Sequence, residues 1–216
     1  MQAMFGEEVW TLDDSGVTIA RVVDERHSKG TEQVLRRLVA RVTGVPDDDV
    51  ELERRCGECG ARHGVPTIEY PTLPSGGRWH ADVAFGGGVV VAAASARHPL
   101  GVAVETAGPS GRAIDEAAFH TGELALLETV DASQRARLRA TMWVRKAALA
   151  RVLGHRAFLE PARVELSSPH DDGGTARLVR AVPELGARWH DVAVHDVPVA
   201  GAPDPGHLAA AVAILG

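Results

Sequence analysis

Two short segments carry the side chains best suited to chemistry. His98-Pro99-Leu100-Gly101-Val102-Ala103-Val104-Glu105 reads as an apolar strand that ends on a carboxylate. Trp143-Val144-Arg145-Lys146-Ala147-Ala148-Leu149-Ala150-Arg151 reads as a helix. On a helix, residues three and four apart share a face. Trp143, Lys146, Ala147, Ala150 and Arg151 therefore form one stripe, while Leu138, Met142, Leu149 and Val152 or Leu153 form the buried one. A carboxylate at a strand end, faced by a helix that bears Lys and Arg, suits a phosphate-bearing ligand. Cations fix phosphate oxygens, and a carboxylate can hold a divalent metal or take a proton. Standing alone, a Glu beside a strand is more often a solvated surface residue. Asp131 to Arg156 holds seven Lys or Arg against one acid, which reads as an exposed helix face or as a landing strip for an acidic partner.

The elements that must position these residues follow from periodicity. Glu8 to Ala20 alternates apolar and polar residues around Asp13-Asp14-Ser15-Gly16, a hairpin pattern. Thr31 to Val42 has helical spacing with Thr31 as its expected N-cap, and Gly44 and Pro46 end it. Val50 and Leu52 open a further strand. Arg78 to Phe85 precedes Gly86-Gly87-Gly88 and then Val89 to Ala94, a β-branched and small-residue run that reads as a buried strand. Arg163 to Leu166 reads as a strand, and Ser167 to Thr175 as a polar turn.

The second half echoes the first. Arg188-Trp189-His190 repeats Arg78-Trp79-His80, and Gly206 to Ile214 parallels the small-residue strand after Gly88. A repeat about half the chain long implies two similar lobes.

Size and composition narrow the classes. A chain of 216 residues with 45% hydrophobic content can bury a sizeable core. A net charge of −6 argues against general nucleic-acid binding, which needs a basic surface. No apolar run is long enough to span a bilayer, and Met1 to Trp10 lacks the basic start of a secretory signal. With only Cys56 and Cys59, a disulfide scaffold is excluded. The expectation is a cytoplasmic monomer with no membrane or nucleic-acid partner. Cys56-Gly57-Glu58-Cys59, with His63 nearby, reads three ways. It is a zinc site short of ligands, a redox dithiol without its helix N-terminus, or simply a loop with two small thiols.

At their separation, the two chemistry-bearing segments resemble the signature of the surfactin-type 4′-phosphopantetheinyl transferases. That family writes Gly-Val-Asp-x-Glu and then Trp-x-x-Lys-Glu-Ala-x-x-Lys. The frame is Gly101-Val102-Ala103-Val104-Glu105 and Trp143 to Arg151 in this chain, with Ala103 and Ala147 at two of the three acidic positions. The Cys56 to Pro66 loop is similar to an element of actinobacterial members, with Val65 in place of a basic residue. Ala84-Phe85-Gly86 stands where the family carries Ser-His-Ser, and the Arg-rich segment of the first lobe is reduced to Glu25-Arg26-His27 and the single helix from Thr31. Phe119 to Glu128 resembles the family's Phe-x-x-x-Glu helix start, with Thr121 as its expected cap. The resemblance implies an α+β fold of two pseudo-twofold-related lobes, 1–96 and 97–216, with the ligand in the cleft between them.

It also implies roles. The family moves phosphopantetheine from coenzyme A to a serine of an acyl or peptidyl carrier protein, with Mg²⁺ on the pyrophosphate. Glu105 matches a metal ligand and candidate catalytic group, Lys146 the first lysine of the helix motif, and Arg151 replaces the last. Arg62 and His63 fall where the family meets coenzyme A, and His80 is the best candidate for a catalytic histidine. Ala103 and Ala147 can neither ligate metal nor take a proton, and general-base help is worth roughly 10²- to 10⁴-fold. A repurposed or catalytically degenerate member, with a cleft for coenzyme A or a phosphopantetheine arm, is the expectation. The alternatives are a working Mg²⁺-dependent transferase in which Asp82, Asp115 or Glu116 supplies the missing acid, and a non-catalytic carrier-protein-binding module.

Overall fold

The structure is a computed structural model that describes residues 7–12, 15–23, 30–55, 60–108, 111–154, 160–202 and 207–216; of Arg55, Arg62 and His63 it describes the backbone alone. Cys56, Cys59, Glu25-Arg26-His27 and Arg156 lie outside the described residues, as do Asp13 and Asp14 of the first turn. The chain is a mixture of helices and two antiparallel sheets. The first sheet takes β1 (Glu7–Leu12), β2 (Val17–Val23), β3 (Glu51–Arg55), β4 (Arg62–Thr72), β5 (Arg78–Gly86) and β6 (Val89–Ser95), in the order β1-β2-β6-β5-β4-β3. The second takes β7 (Leu100–Thr106), β8 (Thr175–Ala176), β9 (Val192–Val197) and β10 (Leu208–Leu215), in the order β7-β10-β9-β8. Helices α1 (Thr31–Thr43), α2 (Arg112–Ala118), α3 (Thr121–Thr129) and α4 (Ala132–Leu153) complete the regular elements.

Alternation along the strands explains the layering. On β6, Val89, Val91 and Ala93 face one core, while Val90, Ala92 and Ala94 face another. On β10, Ala210, Val212 and Ile214 join the first of these, and Ala209, Ala211 and Ala213 turn to a third. The sheets therefore pack face to face through a shared core, with α1 on the outer face of the first and α4 on the outer face of the second. Strands covered on both sides lose the polar-out pattern, and every residue of β6 and β10 is buried.

Connectivity runs in parallel in the two halves. In each, a strand is followed by helix and then by further antiparallel strands, and the last strand pairs beside the first, β6 beside β2 and β10 beside β7; the first half has four strands after α1, with β3 as an extra edge, and the second has three after α4, which α2 and α3 precede. Gly87 and Gly88 turn β5 into β6 with φ of 53° and 77°, the two positive-φ residues that a tight hairpin with matching twist requires.

Several local expectations are corrected. Thr31 is the first helical residue of α1; the N-cap is Gly30, with no side-chain cap. Thr121 likewise begins α3, and the cap is His120, whose Nδ1 accepts from the Gly122 amide at 3.3 Å while Glu123 accepts from the His120 amide at 2.9 Å. Residues 163–166 are not a strand: Pro161–Arg163 is a 3₁₀ turn and Leu166 makes a single bridge to Leu178. Pro161 pre-sets that turn, and its carbonyl accepts from Lys146 rather than from a neighbouring strand. The second Arg-Trp-His is not in a strand either. Arg188 to His190 lie in the 3₁₀ segment Pro183–Asp191, and β9 begins at Val192. The apolar side of α4 is double rather than single. Val144 and Ala148 pack on the second sheet, whereas Leu138 and Met142 pack with Phe119 and Leu127. Among the described residues, no helix is long and apolar enough to cross a membrane.

Candidate functional site

The cleft is built where β5 of the first sheet, β7 of the second and α4 converge. Its main cavity is about 530 Å³, within the usual range for small-molecule sites. Val83, Phe85, Glu105, Trp143, Ala147 and Arg151 are among the residues that line it. A second cavity of about 260 Å³ continues past Glu105 and Trp143 towards Ile114, Phe119 and Arg139. Two glycines set the geometry. A Cβ on Gly101 would lie 2.5 Å from both the Ala148 carbonyl and the Val152 amide, so the end of α4 can lie against β7 only because no side chain intervenes. A Cβ on Gly86 would stand 2.7 Å from the Val104 carbonyl, which brings β5 equally close on the other side.

Glu105, near the end of β7, is half-buried and lines both cavities. Burial in this mainly apolar setting pushes its pKa above the usual carboxylate value. No hydrogen bond or ion pair with another described residue reaches its carboxylate. Trp143, 37% exposed, and Phe85, 36% exposed, present aromatic surface to the same space.

The cations are placed differently from their sequence roles. Lys146 reaches the cleft wall, but its ammonium is buried behind it. It donates to the Ala118 carbonyl at 3.0 Å and the Pro161 carbonyl at 2.8 Å, and it pairs with Glu123. Desolvation pushes the Glu123 pKa up and the Lys146 pKa down, and each partner opposes the shift in the other. Arg151 turns onto Asp82 of β5, which is fully buried and also accepts the Val102 amide at 2.8 Å. Arg139 holds Asp115 at 2.5 and 2.9 Å. Arg145 is buried against Asp172 and Asp196. Of the basic residues on α4, Arg135 and Arg137 are the exposed ones among the described residues, so most of the expected basic landing strip is spent on internal pairs.

No protein-family model matches the chain, and no curated protein matches it at significant similarity.

The remaining candidates fall apart in space. His80, at the start of β5, lies opposite Ser95 and Thr67 and does not line the cleft. Burial lowers its pKa, and His98 lowers it further. The side chains of Arg62 and His63 lie outside the described residues. Asp82 and Asp115 are engaged by arginines, and Glu116 forms an exposed pair with Arg112 at 2.7 Å. None of the three is available as the substitute acid.

Ala103 and Ala147 line the cavity where the resemblance puts carboxylates, and Glu105 is the one acidic residue in its described lining. Among the described residues, no group of three or more His, Cys, Asp or Glu is placed to hold an ion. The described residues of the cleft do not fit a protein-held Mg²⁺ centre. The described lining offers apolar walls, two aromatic faces and one carboxylate, an arrangement suited to binding an organic ligand. The pairings of Asp82 and Glu123 are the functional features missed in sequence. Glu123 had only a faint signal, its position in the first turn of the helix expected after Phe119; Asp82, inside an apolar strand, had only the oddity of a lone acid there.

Proposed function

We propose that this chain is a 4′-phosphopantetheinyl transferase-like protein of two pseudo-twofold-related lobes. Its interlobe cleft receives a phosphopantetheine arm, carried by a carrier protein or by coenzyme A, without efficient transfer of that arm. One observation carries this reading. Glu105, Trp143, Lys146 and Arg151, the matching positions of the resemblance, line a single 530 Å³ cavity together with Ala103 and Ala147. The parallel connectivity of the two halves supports the lobed arrangement. The charge pairing supports the loss of transfer. Lys146 and Arg151, which would grip a pyrophosphate as free cations, are held by Glu123 and Asp82. The pantetheine portion is uncharged and partly apolar, and it suits these walls better than the diphosphate does.

The test combines binding with mass. Pantetheine and a holo carrier protein should raise the melting temperature of the chain, whereas an apo carrier protein with coenzyme A and Mg²⁺ should gain no mass over hours. Mass gain at an ordinary enzymatic rate would restore the working-transferase alternative. Absence of any shift with pantetheine and holo carrier would discard the cleft reading.

A further inference from the structure

Around the cleft, the described cations are matched to carboxylates: Arg151 to Asp82, Lys146 to Glu123 and Arg139 to Asp115. Glu105 is the exception. It lines both cavities, and no other described residue pairs with it. Among the described residues, the lining and its partners therefore sum to an uncompensated negative charge at the point where the two cavities meet. An anionic ligand would meet that carboxylate with no free described cation to offset it, at a low effective dielectric where the repulsion is poorly screened. A ligand of opposite sign gains from the same arrangement. Trp143 lines both cavities beside Glu105, and Phe85 lines the larger; aromatic faces attract ammonium groups. Val83, Ala147 and Ala150 give the rest of the larger cavity an apolar wall.

We infer that the cleft recognises an organic ammonium on an apolar body, with the ammonium on the Glu105 carboxylate and the body along Phe85, Val83 and Ala147. This goes beyond the proposed function, because pantetheine alone carries no cation. An arm bound here would end in an amine-bearing group such as an aminoacyl chain, and a free alkylamine would bind by the same contacts.

The experiment is calorimetric titration of the full chain at neutral pH with two matched pairs. The first is hexylamine against hexanol, and the second is S-(2-aminoethyl)pantetheine against S-propylpantetheine. The amine of each pair should bind about tenfold more tightly, as a charge-assisted hydrogen bond in a partly desolvated site allows. Glu105→Gln, with an unchanged circular dichroism spectrum and melting curve, should remove the preference and leave the neutral ligand unaffected. A Trp143→Leu variant should weaken both members of each pair. Equal binding within both pairs, or a preference that survives Glu105→Gln, overturns the inference and leaves the proposed function standing. Preference for hexylamine with neither pantetheine bound supports the inference and removes the proposed function. Silence of all four ligands overturns both.

Discussion

Arg151 closes on Asp82 through two parallel hydrogen bonds, Nε to Oδ2 at 2.7 Å and Nη2 to Oδ1 at 2.5 Å. The pair joins the last turns of α4 to β5, and so ties the second sheet's helix to the first sheet. Its two members differ in exposure: the Asp82 side chain is at 0% and that of Arg151 at 32%. Removing the arginine strands a buried carboxylate with the Val102 amide alone, whereas removing the charge on Asp82 leaves an arginine that can turn to water.

Arg151→Met should therefore cost about 3–5 kcal/mol of folding stability, the usual cost of an uncompensated buried charge. Asp82→Asn keeps an acceptor for Val102 and should cost less, about 1–3 kcal/mol. Urea denaturation of both variants checks the order. Asp82→Asn should also free Arg151 as a cation in the cleft and so raise affinity for coenzyme A over wild type, read by calorimetry; unchanged affinity would count against the charge-pairing account.

Lys146 is a structural cation in this geometry, with two carbonyls and Glu123 as its partners. Lys146→Ala should lower stability by about 3–5 kcal/mol, a fall of about 10 °C in melting temperature for a chain of this size. The double variant Lys146→Met with Glu123→Gln should recover a large part of that loss, because neither charge is then left alone. Differential scanning calorimetry separates this from a ligand-binding role, which would leave the single variant's melting curve unchanged.

Gly101→Ala tests the close approach of α4 to β7. The added methyl would meet backbone atoms at 2.5 Å, and backbone cannot swing aside as a side chain can. The expected cost is about 1–3 kcal/mol, with the cleft distorted on the Arg151 side. Denaturation and ligand titration should both register the change; a fully stable variant with wild-type binding would show that the helix is not seated on this glycine.

His80 offers a pH test whose sign is fixed. Its folded-state pKa lies below the ordinary imidazole value of 6.5, through burial and then through His98. The unfolded chain therefore takes up a proton on this residue before the folded chain does, and the contribution of His80 to stability falls as pH drops below about 6.5. It is constant above that value, where both states are neutral. His80→Gln should lack this fall, so its stability should drop less steeply than that of wild type in that window, measured by urea titrations at a series of pH values. An identical slope in the two proteins would exclude the effect.

Periodicity alone determined the larger part of the scaffold. The hairpin over Glu8 to Ala20, the helix after Gly30, the doubly buried strands β6 and β10, and the stripe of Trp143, Lys146, Ala147, Ala150 and Arg151 are all local patterns, set by side-chain spacing and β-branching. Where a short residue such as Thr31 or Thr121 competes with its neighbour for the cap, or where Pro161 and Pro183 bend the chain into 3₁₀ turns, spacing misjudged the boundary because the deciding hydrogen bonds are made elsewhere. The meaning of the charges was not local at all. Asp82 and Arg151 are 69 positions apart, and Arg145 and Asp196 are 51; only folding brings them together. The sequence named a carboxylate and a row of cations. The tertiary structure decided that Lys146 and Arg151 were already paired and left Glu105 facing the cleft with no described partner, because burying a charge fully requires a partner and leaving one half-exposed does not.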